Sequence, residues 1–369
     1  MMKKVGIITF HASHNYGSML QAYALQKTVE ALGYNCEIIN FRTKRQKKMY
    51  RPLPLDPRLL SVLKTIRFPK LAFNDLRKHR LFEEFIHEYL KVTNAEYSNL
   101  QQLREANFDY DAYISGSDQI WNTYCYDYDP AYFLDFVKGS AKKIAYAPSM
   151  GPRPETDVKT NNDSSIKKYL SFYNALSVRE EGTAGRIERI TGIRPTVCLD
   201  PTLLLSREDW YSLTDNVSHI QGDYILLYTP LCDEKLYDKA TEIAKKYHLK
   251  VVVTLFNHCF RYRNNRCIEF YTPVGPKEFL TLIKYSRFVV CKSFHAVVFS
   301  LIFSRPFYAV NGMNDNRVNH LLKLTGLENF ANYPEKNILD FEPDTFVKAF
   351  ALLQPAKDKS INFLQDALS

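Results

Sequence analysis

The residues of this chain that could do chemistry sit in short polar turns, each placed directly after an apolar run. The most informative is Lys292-Ser293-Phe294-His295, which closes the apolar run 288–291 and opens an apolar segment at 294–303. A helix starting at Ser293 would leave its first backbone N–H groups unpaired and directed outward, which makes an anion site. His295 falls in that first turn, where an imidazole can exchange a proton with whatever the anion site holds. A capped helix with a satisfied, buried histidine is the competing reading. Arg179 ends the run 175–178, where a guanidinium could grip a carboxylate or phosphate with two parallel hydrogen bonds. A salt bridge to Glu180 or Glu181 would occupy it equally well.

A second set of turns could hold the other reactant. Gly116-Ser117-Asp118-Gln119-Ile120-Trp121-Asn122 is a dense polar turn after the run 112–115, and Asp118 there could orient or deprotonate a hydroxyl. His14, Asn15, Tyr16 and Gly17 follow the first apolar run, and Ser149 follows another. With Gln119 and Trp121 they are the candidate contacts of an acceptor molecule. Tyr124, Tyr126, Tyr128, Tyr132 and Phe133, just beyond, are suited to stacking on sugar rings, although a partly buried loop explains them nearly as well.

The elements that must position these turns alternate. Apolar runs at 5–10, 34–41, 112–115, 143–147, 175–178 and 196–199 read as strands. A helix from Ser18 carries Ala22, Leu25, Val29 and Leu32 at helical spacing and stops at Gly33. After a turn-rich stretch at 206–222 the alternation restarts, with strands at 224–228, 250–255, 267–271, 288–291 and 306–310 separated mostly by helices. Such alternation implies parallel sheets covered on both faces. The fold class expected is α/β, two Rossmann-like parallel-sheet domains facing a cleft. Residues 1–205 form the acceptor side, 206–342 the donor or anion side, and 343–369 two helical segments packing back. Active sites between domains are built from such strand-end turns.

Composition narrows the function. A length of 369 residues with 46% hydrophobic and 24% charged residues is that of a globular protein with two cores. The apolar run at 5–10 is too short for a signal-peptide core or a membrane span. Seven cysteines without a Cys-x-x-Cys pair suit a reducing cytoplasm, and His258-Cys259 with Cys267 lacks a fourth zinc ligand. No metal and no cofactor is expected. The net charge of +9 is concentrated at 42–51 and 67–80, which fits an anionic partner such as a lipid surface. No nucleic-acid motif accompanies it. There is no Gly-x-Gly-x-x-Gly, Walker A loop, Gly-x-Ser-x-Gly or His-Glu-x-x-His, which counts against NAD enzymes, P-loop nucleotidases, common hydrolases and zincins. Between Glu269 and Asp315 the only carboxylate is Glu278, so an acid that would grip a nucleotide ribose is missing.

Taken in order, these pieces resemble the polysaccharide pyruvyl transferase family. The matching residues are Thr9, His14-Asn15-Tyr16-Gly17 with Leu20-Gln21-Ala22-Tyr23-Ala24-Leu25-Gln26, the 116–122 turn, and Tyr146-Ala147 with Ser149-Met150-Gly151. Ser177-Val178-Arg179-Glu180-Glu181, Asp200-Pro201-Thr202-Leu203-Leu204, Ser293-Phe294-His295 with Phe299-Ser300, and Phe303 with Pro306-Phe307 continue the series. The family pattern carries Asp and Gly where Lys292 and Ala296 stand here. The resemblance implies a GT-B-like fold and transfer of a pyruvyl unit from phosphoenolpyruvate, as co-substrate, to two hydroxyls of a sugar in an oligosaccharide or lipid-linked acceptor. On that reading Arg179, Ser293, Phe294 and His295 bind the donor, His295, Asp118 and Arg179 do the chemistry, and the enzyme works in the cytoplasm, at the inner face of the membrane if the acceptor is lipid-linked. A GT-B glycosyltransferase using a nucleotide sugar and a non-catalytic glycan-binding factor are the alternatives.

Overall fold

The computed structural model describes residues 2–52, 69–153, 163–229, 233–254, 262, 264–331, 342 and 344–369. Six strands form a first parallel sheet: β1 (Lys4–Ile8), β2 (Asn35–Ile38), β3 (Ala112–Ser115), β4 (Lys142–Ala145), β5 (Ala175–Val178) and β6 (Thr196–Val197), in the order β2-β1-β3-β4-β5-β6. Five more form a second: β7 (Tyr224–Tyr228), β8 (Lys250–Val253), β9 (Ile268–Phe270), β10 (Phe288–Cys291) and β11 (Phe307–Ala309), in the order β11-β10-β7-β8-β9, again all parallel. The central strands β7, Tyr-Ile-Leu-Leu-Tyr, and β10, Phe-Val-Val-Cys, are buried at every position, as strands covered by helices on both faces must be. His258 and Cys259 lie outside the described residues.

The helices that matter for the site are α1 (Tyr16–Ala31), α2 (Lys44–Met49), α3 (Pro69–Tyr89), α4 (Glu181–Thr191), α5 (Pro276–Tyr285), α6 (Phe294–Ile302), α7 (Asn316–Thr325) and α8 (Thr345–Leu368). Helix α1 starts two residues earlier than the sequence suggests, because Asn15 caps it by accepting from the Gly17 and Ser18 N–H groups. It is buried almost all round. One hydrophobic cluster runs from Val5 and Leu25 in the first domain to Phe279, Phe299 and Leu364, so the two domains share a core across α1. Tyr16 is its rivet: the ring stacks on Phe279 at 4.5 Å and Phe82 at 5.4 Å, and the hydroxyl donates to the Val274 carbonyl. The two closing helical segments expected from the sequence are one helix, α8, which continues through Pro355. It returns to the first domain, where Ser360 Oγ accepts from the Leu199 N–H at 2.8 Å.

The β1 turn also buries His11, whose ring nitrogens lie 3.3 Å from the Thr9 carbonyl and 3.1 Å from Asn40 Oδ1. Burial, with Arg42 nearby, pushes this imidazole down from 6.5 to about 4. The folded state therefore keeps His11 neutral at pH values where the unfolded chain would take up a proton. Its contribution is complete above about pH 6.5 and is lost as pH falls toward 4, up to about 3 kcal/mol at the limit. Urea unfolding at a series of pH values should show stability rising with pH through this window, and His11→Gln should flatten the slope; an unchanged slope would remove His11 as its cause.

Candidate functional site between the two sheets

On the first-domain side, the strand-end turns are held in unusual backbone geometry. A Cβ on Gly116 would meet the Tyr146 carbonyl oxygen at 1.9 Å, and its φ of 136° lies outside the range side chains tolerate, so only glycine lets the β3 and β4 ends approach. Asp118 (φ 69°) and Ala147 (φ 49°) are both left-handed, a costly backbone choice that clusters at functional sites. Asp118 accepts from Ser18 Oγ at 2.5 Å and from the Gln119 N–H. Arg179, at the end of β5, is 3% exposed and donates through Nη1 to Asp200 Oδ2 at 2.8 Å. Glu180 Oε2 lies 3.5 Å from its Nε and Asp118 Oδ1 3.9 Å from its Nη1. Nη2 of Arg179 is buried with no hydrogen-bond partner among the described residues.

Asp200 joins the halves. Its Oδ1 accepts from the Thr202 N–H at 3.0 Å and the Thr202 hydroxyl at 2.7 Å, while Oδ2 holds Arg179 and stands 3.4 Å from His295 Nε2 of the second domain. The last contact is an ion-pair distance without hydrogen-bond geometry, so Nε2 is also left without a hydrogen-bond partner. Burial opposes ionisation of Asp200, but His295, Arg179 and Thr202 outweigh it and hold the carboxyl below the usual range. Burial moves Glu180 the other way, with Arg179 only partly offsetting it. Two neighbouring buried carboxylates are thus driven apart around one guanidinium.

From the second domain, β10 delivers Lys292 and Ser293 and α6 begins. Ser293 occupies the N-cap but makes no side-chain capping bond, leaving its hydroxyl and the first-turn N–H groups free of intrahelical partners. The Phe294 ring lies 4.6 Å from the Arg179 guanidinium, a cation–π contact across the domains. The His295 ring packs directly on Gly17, where a Cβ would fall 2.0 Å from Nδ1. A cleft of about 380 Å³ opens in front of this turn, lined by Lys292, Ser293, Asn311 and Asp315 of the second domain and by Pro152 and Arg153 of the first. Arg317 clasps Asp315 through Nε at 2.8 Å and Nη2 at 2.5 Å, and burial notwithstanding it keeps that carboxyl below its ordinary range. Arg179 and His295 do not line the cleft; they are joined to its Ser293 wall through Phe294, which follows Ser293 and packs on Arg179.

Of the residues singled out from sequence, Asp118, Arg179, Phe294 and His295 therefore converge around Asp200, with Ser293 at the cleft and Gly17 beneath the imidazole. Ser149 is one step removed, donating to Glu180 Oε1 at 2.8 Å. Gln119 is half-buried and accepts from Asn122. Two of the residues read as acceptor contacts are spent on packing. Trp121 is 1% exposed, stacked on Phe133 with its N–H turned to the Tyr132 carbonyl, so it fills the first core. Tyr16 is consumed by the domain seam, while Asn15 is exposed and caps α1 through Oδ1. His14 lies apart, its Nε2 3.1 Å from Glu83 Oε1 and its ring between Tyr50 and Phe82. Of the aromatic run, Tyr132 and Phe133 are core, while Tyr124 and Tyr126 are exposed. Three of the six cations at 42–51 are spent within the fold: Arg42 on Glu83, Lys47 on Glu96 and Arg45 on the Tyr126 ring. Sequence reasoning gave no role to Asp200, Arg153, Asp315 or Arg317; only Asp200 carried a signal, an Asp two residues before Thr202 able to cap its own turn.

His14, His79 and Glu83 place ligand atoms within 4.8 Å of one another, the one metal-like grouping among the described residues. Arg42 Nη1 lies 2.9 Å from Glu83 Oε2. A dication on that carboxylate would stand roughly 5 Å from the guanidinium, a repulsion of about 7 kcal/mol at an effective dielectric constant of ~20. These residues suit an internal salt bridge better than a metal.

The sequence matches the model of the family described as "Polysaccharide pyruvyl transferase" over residues 15–312. The chain belongs to that family. The matched span takes in both halves of the Asp200 cluster. No curated protein matches the sequence. Among solved structures, a co-structure of S. aureus MnaA with UDP is similar with a TM-score of 0.53 at 11% identity, covering 96% of this chain and 88% of that one. The UDP-GlcNAc 2-epimerase of Methanocaldococcus jannaschii is similar with a TM-score of 0.50 at 14% identity, covering 95% and 92%. At such identities the likeness establishes the fold, two parallel-sheet domains of GT-B type. No described helix is long and apolar enough to cross a membrane.

In this family member the packing of His295 on Gly17 is testable. Alanine in a helix is ordinarily about 1 kcal/mol better than glycine. Gly17→Ala should instead lower the melting temperature or shift the His295 ring signals in NMR, because the new methyl overlaps the imidazole. A more stable variant with an unmoved ring would show the contact to be slack.

Proposed function

We propose that the protein transfers a pyruvyl unit from phosphoenolpyruvate to a pair of sugar hydroxyls, forming a cyclic ketal on a surface polysaccharide or its lipid-linked precursor. The observation that carries this reading is the set of unspent donors at one place: Arg179 Nη2, buried and unpartnered, beside a helix N-terminus whose N-cap hydroxyl is unused. Such donors call for an anion. Phosphoenolpyruvate brings a phosphate and a carboxylate, and Lys292, Ser293 and Arg153 at the cleft, with Arg179 joined to it through Phe294, are complementary to the pair. Family membership supports the same class of reaction.

In this reading a proton is added to the methylene carbon of the donor, and the electron deficiency that develops at the neighbouring carbon is filled by the first hydroxyl oxygen. The C–O bond to phosphate then breaks, phosphate departs, and the second hydroxyl closes the ring. One hydroxyl proton ends on the new methyl group and the other on phosphate. His295 carries the proton, its Nε2 standing 3.4 Å from the Asp200 carboxylate. Asp118 orients or deprotonates an acceptor hydroxyl. Arg179 and His295 are only 3% and 8% exposed, so the Ser293 turn must shift when the donor enters. The acceptor is met in the cytoplasm or, if lipid-linked, at the inner face of the membrane.

Incubation with phosphoenolpyruvate and candidate glycans should release inorganic phosphate, and His295→Ala should slow that release by about 10²–10⁴-fold. No release with any acceptor, or release undiminished in the variant, overturns the assignment. Thermal stabilisation by UDP, GDP or CMP sugars but not by phosphoenolpyruvate would favour a nucleotide-sugar transferase. Glycan binding without turnover by any donor would mark a non-catalytic factor.

A further inference from the structure

A second cavity, of about 370 Å³, opens at the carboxyl ends of β1 and β2, the edge of a parallel sheet where ligands are received. Its walls include His14, Arg42, Gln46, Lys47, Tyr50 and Arg51. Two features of this wall ask for a ligand. The first is an excess of buried hydrogen-bond acceptors. Gln46 is 3% exposed; its Nε2 donates to Ser13 Oγ at 3.2 Å, and its Oε1 has no partner among the described residues. Ser13 in turn donates to Asp127 Oδ2 at 2.6 Å, Tyr50 donates to the same oxygen at 2.8 Å, and Asp127 Oδ1 is likewise buried and unpartnered. The open Gln46 acceptor in this wall is complementary to a hydroxyl group, Asp127 stands behind it through Ser13 and Tyr50, and the Tyr50 ring provides the apolar surface that a sugar ring also needs.

The second feature is charge. Both carboxylates on this wall are already matched, Glu83 by Arg42 and Glu96 by Lys47. Arg51 is exposed and has no carboxylate partner among the described residues, leaving a positive charge at the cavity. We propose that this cavity holds the acceptor as a sugar bearing one acid group, a carboxylate or a phosphate, whose hydroxyls meet Gln46 and whose acid group meets Arg51. The acceptor role rests on the pyruvyl-transfer reading; the recognition of an acidic sugar does not.

The test titrates methyl glucuronoside, glucose 6-phosphate and neutral methyl glucoside into the full chain, followed by protein-observed NMR, with phosphate release from phosphoenolpyruvate measured in parallel. At least one acidic sugar should bind about tenfold more tightly than the neutral one, the margin of a charge-assisted hydrogen bond. Arg51→Gln, an exposed position whose loss spares the core, should close that gap. Preference for glucuronoside alone assigns the group as carboxylate, and preference for the phosphate alone assigns it as phosphate. Equal binding of all three sugars, or a gap that survives Arg51→Gln, overturns the proposal. Acidic-sugar binding lost in Arg51→Gln, with no phosphate release from any donor mixture, keeps the cavity and sinks pyruvyl transfer. Phosphate release with neutral acceptors that is indifferent to Arg51→Gln does the reverse.

Discussion

The carboxylate of Asp200 is the constraint on which the rest of the site depends. A charge with 1% exposure is tolerable only when opposite charge and hydrogen bonds surround it, and here they come from three places in the chain. Thr202 supplies two bonds locally, Arg179 supplies one from the end of β5, and His295 approaches from the other domain. Removing one partner of a buried pair typically costs about 3–5 kcal/mol, far more than the pair adds to stability when intact. Asp200 therefore acts less as glue than as a specification: its hydrogen bonds come from the first domain, and only with the two sheets in this relation does the His295 imidazole face it. Arg179, fixed by Asp200, in turn sets how Glu180, Asp118 and the Phe294 ring are arranged.

That relation is enforced by hydrocarbon as well as by charge. Helix α1 belongs to the first domain by sequence, yet its Tyr16 is held by Phe279 and its Gly17 by His295. Trp210 bridges the same way, between Tyr23 at 5.8 Å and Phe299 at 4.9 Å. A shared core makes free hinge opening expensive, because each pair of rings separated would be exposed to water. Local rearrangement of the Ser293 turn is the cheaper way to admit a ligand.

Much of the architecture was legible because parallel strands buried on both faces must be continuous apolar runs, as the fully buried β3, β7 and β10 are. The convergence of Arg179 and His295 was legible for a related reason: turns after parallel strands gather at one edge. What eluded sequence reasoning is pairing across distance. Nothing local tells that the Asp200 carboxylate meets a histidine 95 positions later, or that Arg317 turns back on Asp315 beside a cleft. Aromatic residues misled for a different reason. Trp121 and Tyr16 stand in polar turns whose composition suggests exposure, but a turn has no periodicity from which to read the direction of a ring. Helical spacing suggested two closing segments; Pro355, between them, is accommodated inside α8, and the segment stays one rod.

That rod has a consequence for how the molecule is assembled. The amide of Leu199, beside the Asp200 turn, is satisfied by a hydroxyl 161 residues downstream, and Lys142 reaches the Ala367 carbonyl. During synthesis the lobe made first thus emerges from the ribosome with the Leu199 amide unmet and waits for nearly the whole second lobe before it is paired. The turn at Ser293 is thus synthesised before the helix that seals the first lobe beside Asp200.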